Sequence, residues 1–320
     1  MNRRHIVVGL LACATAPVTG RAQEAGRIYR VGVLFGEGGN SMTPDQDVVR
    51  EQLAAHGFVD GRNLQMTWRG GSGWTDIDRK TALELVAGQP DAILSFSTAM
   101  TQAVQFATKS IPIVFVQVSD PIADGVVKDY AHPGGNTTGV STQHREIVGK
   151  RFELLRELLP KARRVALVTP YATDPSFVAA RPTIAEAARR VDFELIEVTH
   201  IEIHRIAEKQ AEAMFVFTVL GEAFTMDNLI DLAAKLRIPS VFPDARWVRR
   251  GGLFSYGTDP LANTRLAADQ LARVLRGAKP GDLPVEQNPR FVFAINLATA
   301  KALGLSIPRS VLVRADELLQ

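Results

Sequence analysis

Tyr29-Arg30-Val31-Gly32-Val33-Leu34-Phe35 is the stretch from which the fold is read. Its large apolar residues fall at both odd and even positions, so it has no solvent face. A strand built this way is buried on both sides. The residues after it change period. Pro44–His56 places Val48, Val49, Leu53 and Ala54 at helical spacing, and Gly57 follows as a stop. The alternation then repeats: Leu64–Arg69 reads as a strand, Asp76–Ala87 as a helix, Ala92–Ser97 as a strand, Thr98–Thr108 as a helix and Ile113–Val118 as a strand. Buried strands separated by amphipathic helices predict an α/β fold with a parallel sheet covered on both faces.

The same pattern restarts downstream. Val148–Leu159 predicts a helix ended by Pro160, and Arg164–Thr169 a strand. Pro182–Arg190 lies in a helix, with strands at Glu194–Thr199 and Ala213–Val219, a helix at Met226–Leu236 and a short strand at Ser240–Pro243. Two βαβ sets in tandem predict two similar lobes. The join near Val140–Gly149 is short and has no low-complexity linker. After Leu253–Tyr256 there remain a helix at Leu261–Arg276, a strand at Phe291–Ile295 and a small helix at Ala298–Leu303. These are too few for a third lobe. The simplest account returns the chain between the lobes, with residues 27–140 and about 257–282 in lobe 1, and 141–256 and about 283–320 in lobe 2. A single wide sheet is the alternative.

The N-terminus has the layout of an export signal. Arg3 and Arg4 precede an apolar run from Ile6 to Ala16, Pro17 and Gly20 interrupt it, and Gly20-Arg21-Ala22 offers a small-x-small cleavage site. The run is too short to cross the ~30 Å hydrocarbon core of a bilayer. Paired arginines suggest the twin-arginine route. Cleavage after residue 22 would remove Arg3, Arg4 and Arg21 and no acid, so the formal charge of +3 would fall to zero. A neutral body argues against a nucleic-acid partner, which needs a lasting basic patch. The chain's one cysteine, Cys13, lies in this segment and is either cut away or kept as a lipid anchor. The expected location is the periplasm.

Motifs with chemistry are few. Gly36-Glu37-Gly38-Gly39-Asn40-Ser41 follows the first strand and nearly matches a dinucleotide loop. That reading also needs an acid at the end of the second strand, where Thr67-Trp68-Arg69-Gly70 stands instead. His200 and His204 are four apart, but a metal site needs a third ligand. No G-x-S-x-G elbow is present. Arg246-Trp247-Val248-Arg249-Arg250 could meet an anion or a partner, or lie as a solvated helix end. Neither a metal, nor a cofactor, nor catalysis is expected. Polar residues at strand ends carry more. Ser97 and Thr98 end the third strand and open a helix, where hydroxyls and free N–H groups suit a carboxylate. Ser119 and Asp120 end the fourth strand; Asp120 either caps the next segment or receives an ammonium. Thr169-Pro170-Tyr171, Gly221 and Asp244 occupy the corresponding edge of the second set. Facing lobes would line one cleft with these loops.

Several ordered blocks resemble a bacterial family. They are Gly57-Phe58-Val59-Asp60-Gly61-Arg62-Asn63, Ile111-Pro112-Ile113-Val114-Phe115, Ser119-Asp120-Pro121, His132-Pro133-Gly134-Gly135-Asn136-Thr137-Thr138-Gly139-Val140 and Gly251-Gly252-Leu253-Phe254-Ser255-Tyr256-Gly257. The tail from Asp282 to Glu317 resembles it as well. The family is the substrate-binding proteins of ABC transporters, in the tryptophan-binding-protein-like group, and the resemblance covers about residues 27–319. It implies a type I periplasmic-binding-protein fold, with two Rossmann-like lobes joined by three crossovers. It implies capture of a small solute, often an amino acid, by domain closure and delivery to a permease in the inner membrane. The protein is expected to be a monomer and not an enzyme. Where the family often has Gly-Thr, this chain has Ser97-Thr98. The site residues expected are Phe35 and Tyr171 as apolar walls, Ser97 and Thr98 for a carboxylate, Asp120 or Asp244 for an ammonium, and Gly36, Ser119 and Gly221 as further ligand-binding positions. A nucleotide-dependent enzyme and a binding module that feeds a sensor receptor are the other readings.

Overall fold

The computed structural model describes residues 26–36, 43–71, 75–169, 173–199, 202–217 and 223–320. The export segment, the loop 37–42, His200, Tyr171 and Gly221 lie outside the described residues.

Two sheets form. The first contains β1 (Tyr29–Phe35), β2 (Leu64–Gly70), β3 (Ala92–Phe96), β4 (Ile113–Val118), β5 (Thr137–Ser141) and β11 (Glu286–Gln287), in the order β11-β5-β4-β3-β1-β2. All its pairings are parallel. The second contains β6 (Arg164–Thr169), β7 (Glu194–Thr199), β8 (Ala213–Val216), β9 (Ser240–Phe242), β10 (Phe254–Thr258), β12 (Phe291–Asn296) and β13 (Glu317–Leu319), in the order β13-β12-β10-β9-β8-β6-β7. Its one antiparallel pair is β10 with β12, which the chain joins by way of α9 and the first sheet. A single wide sheet is thereby replaced by two, each mostly parallel.

The pattern of the opening strand explains the layering. Val31, Val33 and Phe35 point to one face of the first sheet and pack with α1 (Thr43–Ala55) and α9 (Pro260–Leu275). Leu34 points to the other, toward α2 (Thr75–Ala87) and α3 (Thr98–Ala107). Gly32 lets α2 close on the sheet, because a Cβ there would lie 2.8 Å from Leu85 Cγ. The second sheet is covered likewise. Val165 and Phe215 face α4 (His144–Leu158) and α5 (Pro175–Arg190), whereas Met214 and Val216 face α7 (Ala223–Leu236). Phe152 of α4 stacks on Phe215 with ring centroids 4.2 Å apart.

The chain passes between the sheets three times. It leaves the first after Ser141, returns from Thr258 at the end of β10 to α9, and leaves again after Gln287. Strand β11 still pairs with β5 at Glu286–Gln287, so the last passage comes after Gln287 rather than near residue 283. Helix α4 begins at His144, four residues before the helix read from the sequence, and α5 runs through Pro182. β5, β11, β13, α8 (Ala245–Arg249) and the one-turn helices α6 (Arg205–Glu208) and α11 (Arg309–Leu312) are additions to that reading. Among the described residues no helix is long and apolar enough to cross a membrane.

Candidate functional site

A cleft opens where the carboxyl ends of the two sheets meet. It holds about 600 Å³ of space between atoms, part of it open to solvent. Four helices begin on it: α3 through Ser97 and Thr98, α4 through Thr142 and His144, α5 through Asp174 and Ser176, and α9 through Thr258, Pro260 and Asn263. Each helix start carries partial positive charge from free N–H groups. The starts differ in their caps. Asp174 accepts from the Ser176 and Phe177 amides and Asp259 from the Leu261 amide, so carboxylates already meet α5 and α9. Helix α3 is capped by the neutral Ser97 hydroxyl, which accepts from the Met100 amide at 3.4 Å. Helix α4 follows Gln143, whose side chain makes no cap bond, so α3 and α4 are the two starts without a carboxylate cap, which favours an anion there.

The backbone around the α3 start is strained. Ser97 has φ +79° and ψ 163°, a conformation normally left to glycine, and Gln117 near the end of β4 has φ +61°. Both line the cleft. Two buried polar atoms on its wall have no protein partner: Ser119 Oγ and Asn263 Oδ1. Asn263 is fully buried and its amide group donates to Thr258 Oγ1 at 2.9 Å, which leaves its carbonyl oxygen as a free acceptor.

Behind Thr98 lies a charged cluster. Thr98 Oγ1 donates to Asp124 Oδ2 at 2.8 Å. Burial pushes the Asp124 carboxyl up to about 6, against the lowering effects of the Thr98 hydrogen bond and of Arg145. Arg145 pairs with Asp120 at 3.0 Å and stands 3.7 Å from Asp124. His144, at the start of α4, also lines the cleft, and its Nδ1 lies 2.7 Å from Arg151 Nη2. Arg151 is fully buried and donates to the carbonyls of Phe217, Pro243 and Tyr256, which stand at or just beyond the ends of β8 and β9 and within β10. Gly257 makes room for this clasp, since a Cβ there would sit 2.0 Å from the Pro243 oxygen. Burial holds the Arg151 guanidinium down at about 9.

The expected residues separate into groups. Ser97, Thr98 and Ser119 come together on the cleft. Phe35 instead packs in the core of the first sheet beside Trp68, with ring centroids 6.3 Å apart, and Gly36 follows it at the end of β1. Asp120 is engaged by Arg145 and accepts from the Ala123 amide at 3.1 Å. Asp244 is 1% exposed, caps α8 and is bound by Arg246, on a neighbouring hollow rather than on this cleft. Its carboxylate has a cation already. Tyr171 and Gly221 fall outside the described residues. The basic stretch 246–250 is internally paired: Arg246 with Asp244, Arg249 with Glu317 and Arg250 with Asp227. Among the described residues no cluster of acids and histidines could hold a metal ion. Gln117, Asp124, Thr142, His144 and Asn263 were not expected as site residues. The Ser141-Thr142-Gln143-His144 run, a polar segment directly after a strand, was the signal available for two of them.

Comparison with known proteins agrees with this architecture. A tyrosine-binding protein of Clostridioides difficile is 27% identical over 274 residues, covering 83% of this chain and 79% of that protein. The crystal structure of a conserved-domain protein from Vibrio cholerae matches with a TM-score of 0.81 and 28% identity, over 91% of this chain and 100% of that one. A Streptococcus pneumoniae domain solved in complex with L-Trp shares the fold, with a TM-score of 0.78 at 23% identity, over 91% of this chain and 100% of that one. These proteins have the periplasmic-binding-protein architecture of paired, mostly parallel sheets. The family described as ABC transporter substrate binding protein matches residues 30–319. The chain therefore belongs to the ABC transporter substrate-binding proteins, a family that binds solutes rather than transforming them.

Proposed function

We propose that this protein captures an amino acid in the cleft between its sheets and delivers it to an ABC importer in the inner membrane. The observation that carries the reading is the pair of partnerless buried polar atoms, Ser119 Oγ and Asn263 Oδ1, on a cleft where the unbalanced pole of α3 begins. A hydroxyl donor and helix N–H groups suit a carboxylate, and an amide oxygen suits an ammonium. The relatives add weight, since one is named a tyrosine-binding protein and another was solved with L-Trp.

Ser97, Thr98 and Ser119 are the ligand contacts from the first sheet; His144 and Asn263 are those from the crossover segments. Tyr171 and Gly221, between β6 and α5 and between β8 and α7 in the sequence, are proposed as further ligand contacts. Residues 27–140 and about 259–287 act as one lobe, and the remainder as the other. A ligand that touches both lobes favours their closed arrangement and shifts the population toward it. The mature chain works as a monomer in the periplasm after export by its N-terminal segment. The test is a thermal-shift panel of L-tyrosine, L-tryptophan, other amino acids, hexoses and pentoses. Amino acids at a hundred times their Kd should stabilise by about 2.7 kcal/mol. Stabilisation by sugars alone would contradict the reading.

A further inference from the structure

The start of α4 holds a buried pair whose geometry limits its chemistry. His144 is 5% exposed, lines the cleft, and has Arg151 Nη2 at 2.7 Å from its Nδ1. A guanidinium has only donors, so the contact is a hydrogen bond only if Nδ1 is the acceptor. The ring proton must then sit on Nε2. Among the described residues no protein group bonds Nε2, so this N–H is the ring's free polar group at the cleft wall.

Resting on the amino-acid reading above, we infer that His144 is a specificity-determining residue whose Nε2–H donates to a carboxylate or carbonyl oxygen of the ligand, with Arg151 as the positioning residue that sets the tautomer. Arg151 cannot easily turn away, because three backbone carbonyls hold it. The imidazole is neutral in this setting: burial, and then the charges of Arg151 and Arg246, hold it well below the usual imidazole range. A neutral, single-tautomer donor bonds an acceptor and leaves a ligand amine unmatched, whereas a freely turning hydroxyl accepts either. Helix α3 and His144, which line one cleft, would thus both grip the acceptor end of one ligand.

The test uses calorimetric titration of the full chain with L-tyrosine and L-tryptophan, and with tyramine and tryptamine as probes that lack the carboxylate. His144→Leu removes the donor. His144→Gln restores an N–H near the position of Nε2. The expected result is that His144→Leu weakens the amino acids at least about tenfold, the scale of one lost buried hydrogen bond, and leaves the two amines unchanged. His144→Gln should recover most of the loss. Equal binding by His144→Leu, or a loss in His144→Gln as large as in His144→Leu, overturns the inference. A second readout is independent of the ligand. The ¹⁵N shifts of the His144 ring in the unliganded protein, assigned by their loss in His144→Gln, should report the Nε2–H tautomer, and the Nδ1–H form would overturn it. If the wild type binds no amino acid while the Nε2–H form is found, the amino-acid reading fails and the donor stands.

Discussion

Thr98 Oγ1 gives its proton to Asp124 Oδ2 at 2.8 Å, so the hydroxyl at the mouth of α3 offers only lone pairs to a ligand. This reverses the role expected for Thr98. Under the proposed reading a carboxylate would take its donors from the α3 amides, Ser119 and His144, and Thr98 would help to receive an ammonium. Asp124 sets this polarity from beneath.

Asp124 gives the protein a pH-dependent stability. Burial raises its carboxyl from 3.8 to about 6. For an acid whose folded pKa is raised, the unfolded chain ionises first. The protonated carboxyl therefore carries no penalty below about 3.8, and the penalty grows as pH rises and is complete above about 6. Its size is about 1–3 kcal/mol. Asp124→Asn removes the titration, so the stability of the variant relative to wild type should rise by that amount between about pH 4 and pH 7. Urea melts at the two pH values check this, and a constant difference would contradict it.

Ser97 stores strain that glycine would release. Its φ of +79° lies where a side chain costs about 1–3 kcal/mol, while its cap bond is long at 3.4 Å. A Ser to Gly change at a cap costs only about a few tenths of a kcal/mol. Ser97→Gly should therefore stabilise the protein by about 1 kcal/mol in chemical denaturation. A less stable variant would show that the hydroxyl does more than cap.

Two glycines should respond in opposite ways. At Gly257 a Cβ would meet the Pro243 oxygen at 2.0 Å, a backbone atom that cannot turn aside. Gly257→Ala should cost about 3 kcal/mol or more and loosen the Arg151 clasp. Gly149, inside α4, has open space where a methyl group would project, and Gly149→Ala should stabilise by about 0.5–1 kcal/mol. Thermal melts of both variants test the contrast; similar shifts would argue against the close approach at Gly257.

Arg151 is expected to be more important for stability than any surface arginine. Arg151→Met leaves the carbonyls of Phe217, Pro243 and Tyr256 without this donor. Each unsatisfied buried acceptor costs about 1–3 kcal/mol. The loss should exceed about 3 kcal/mol, against about 1 kcal/mol or less for Arg189→Ala, whose partner Glu186 is exposed. Urea unfolding decides, and comparable losses would contradict the clasp.

The layering was legible in the strands. β1, β4 and β6 occupy the spans their apolar runs define, because burial on both faces leaves almost no polar position to blur the pattern. β5 was not legible: Thr137-Thr138-Gly139-Val140-Ser141 is polar and small, and it becomes a strand through its neighbours β4 and β11 and through Thr138 bonding the Leu283 carbonyl. Missing β5 also displaced the start of α4, and with it His144. Ser97, Thr98 and Ser119 were legible as cleft-lining residues because strand ends in open α/β sheets open onto one edge. Asp120 and Asp244 misled for a physical reason. A carboxylate in sequence carries no mark of its partner, and Arg145 and Arg246 supply the cations that a ligand was expected to bring.

The central claim is that the cleft between the sheets binds an amino acid through Ser119 and Asn263. Calorimetric titration of wild type, Ser119→Ala and Asn263→Ala with L-tyrosine and L-tryptophan tests it most directly. The account predicts saturable one-to-one binding of at least one of them by wild type, weakened at least about tenfold in each variant. Unchanged affinity in both variants, or no binding of any amino acid by a folded wild type, would contradict it.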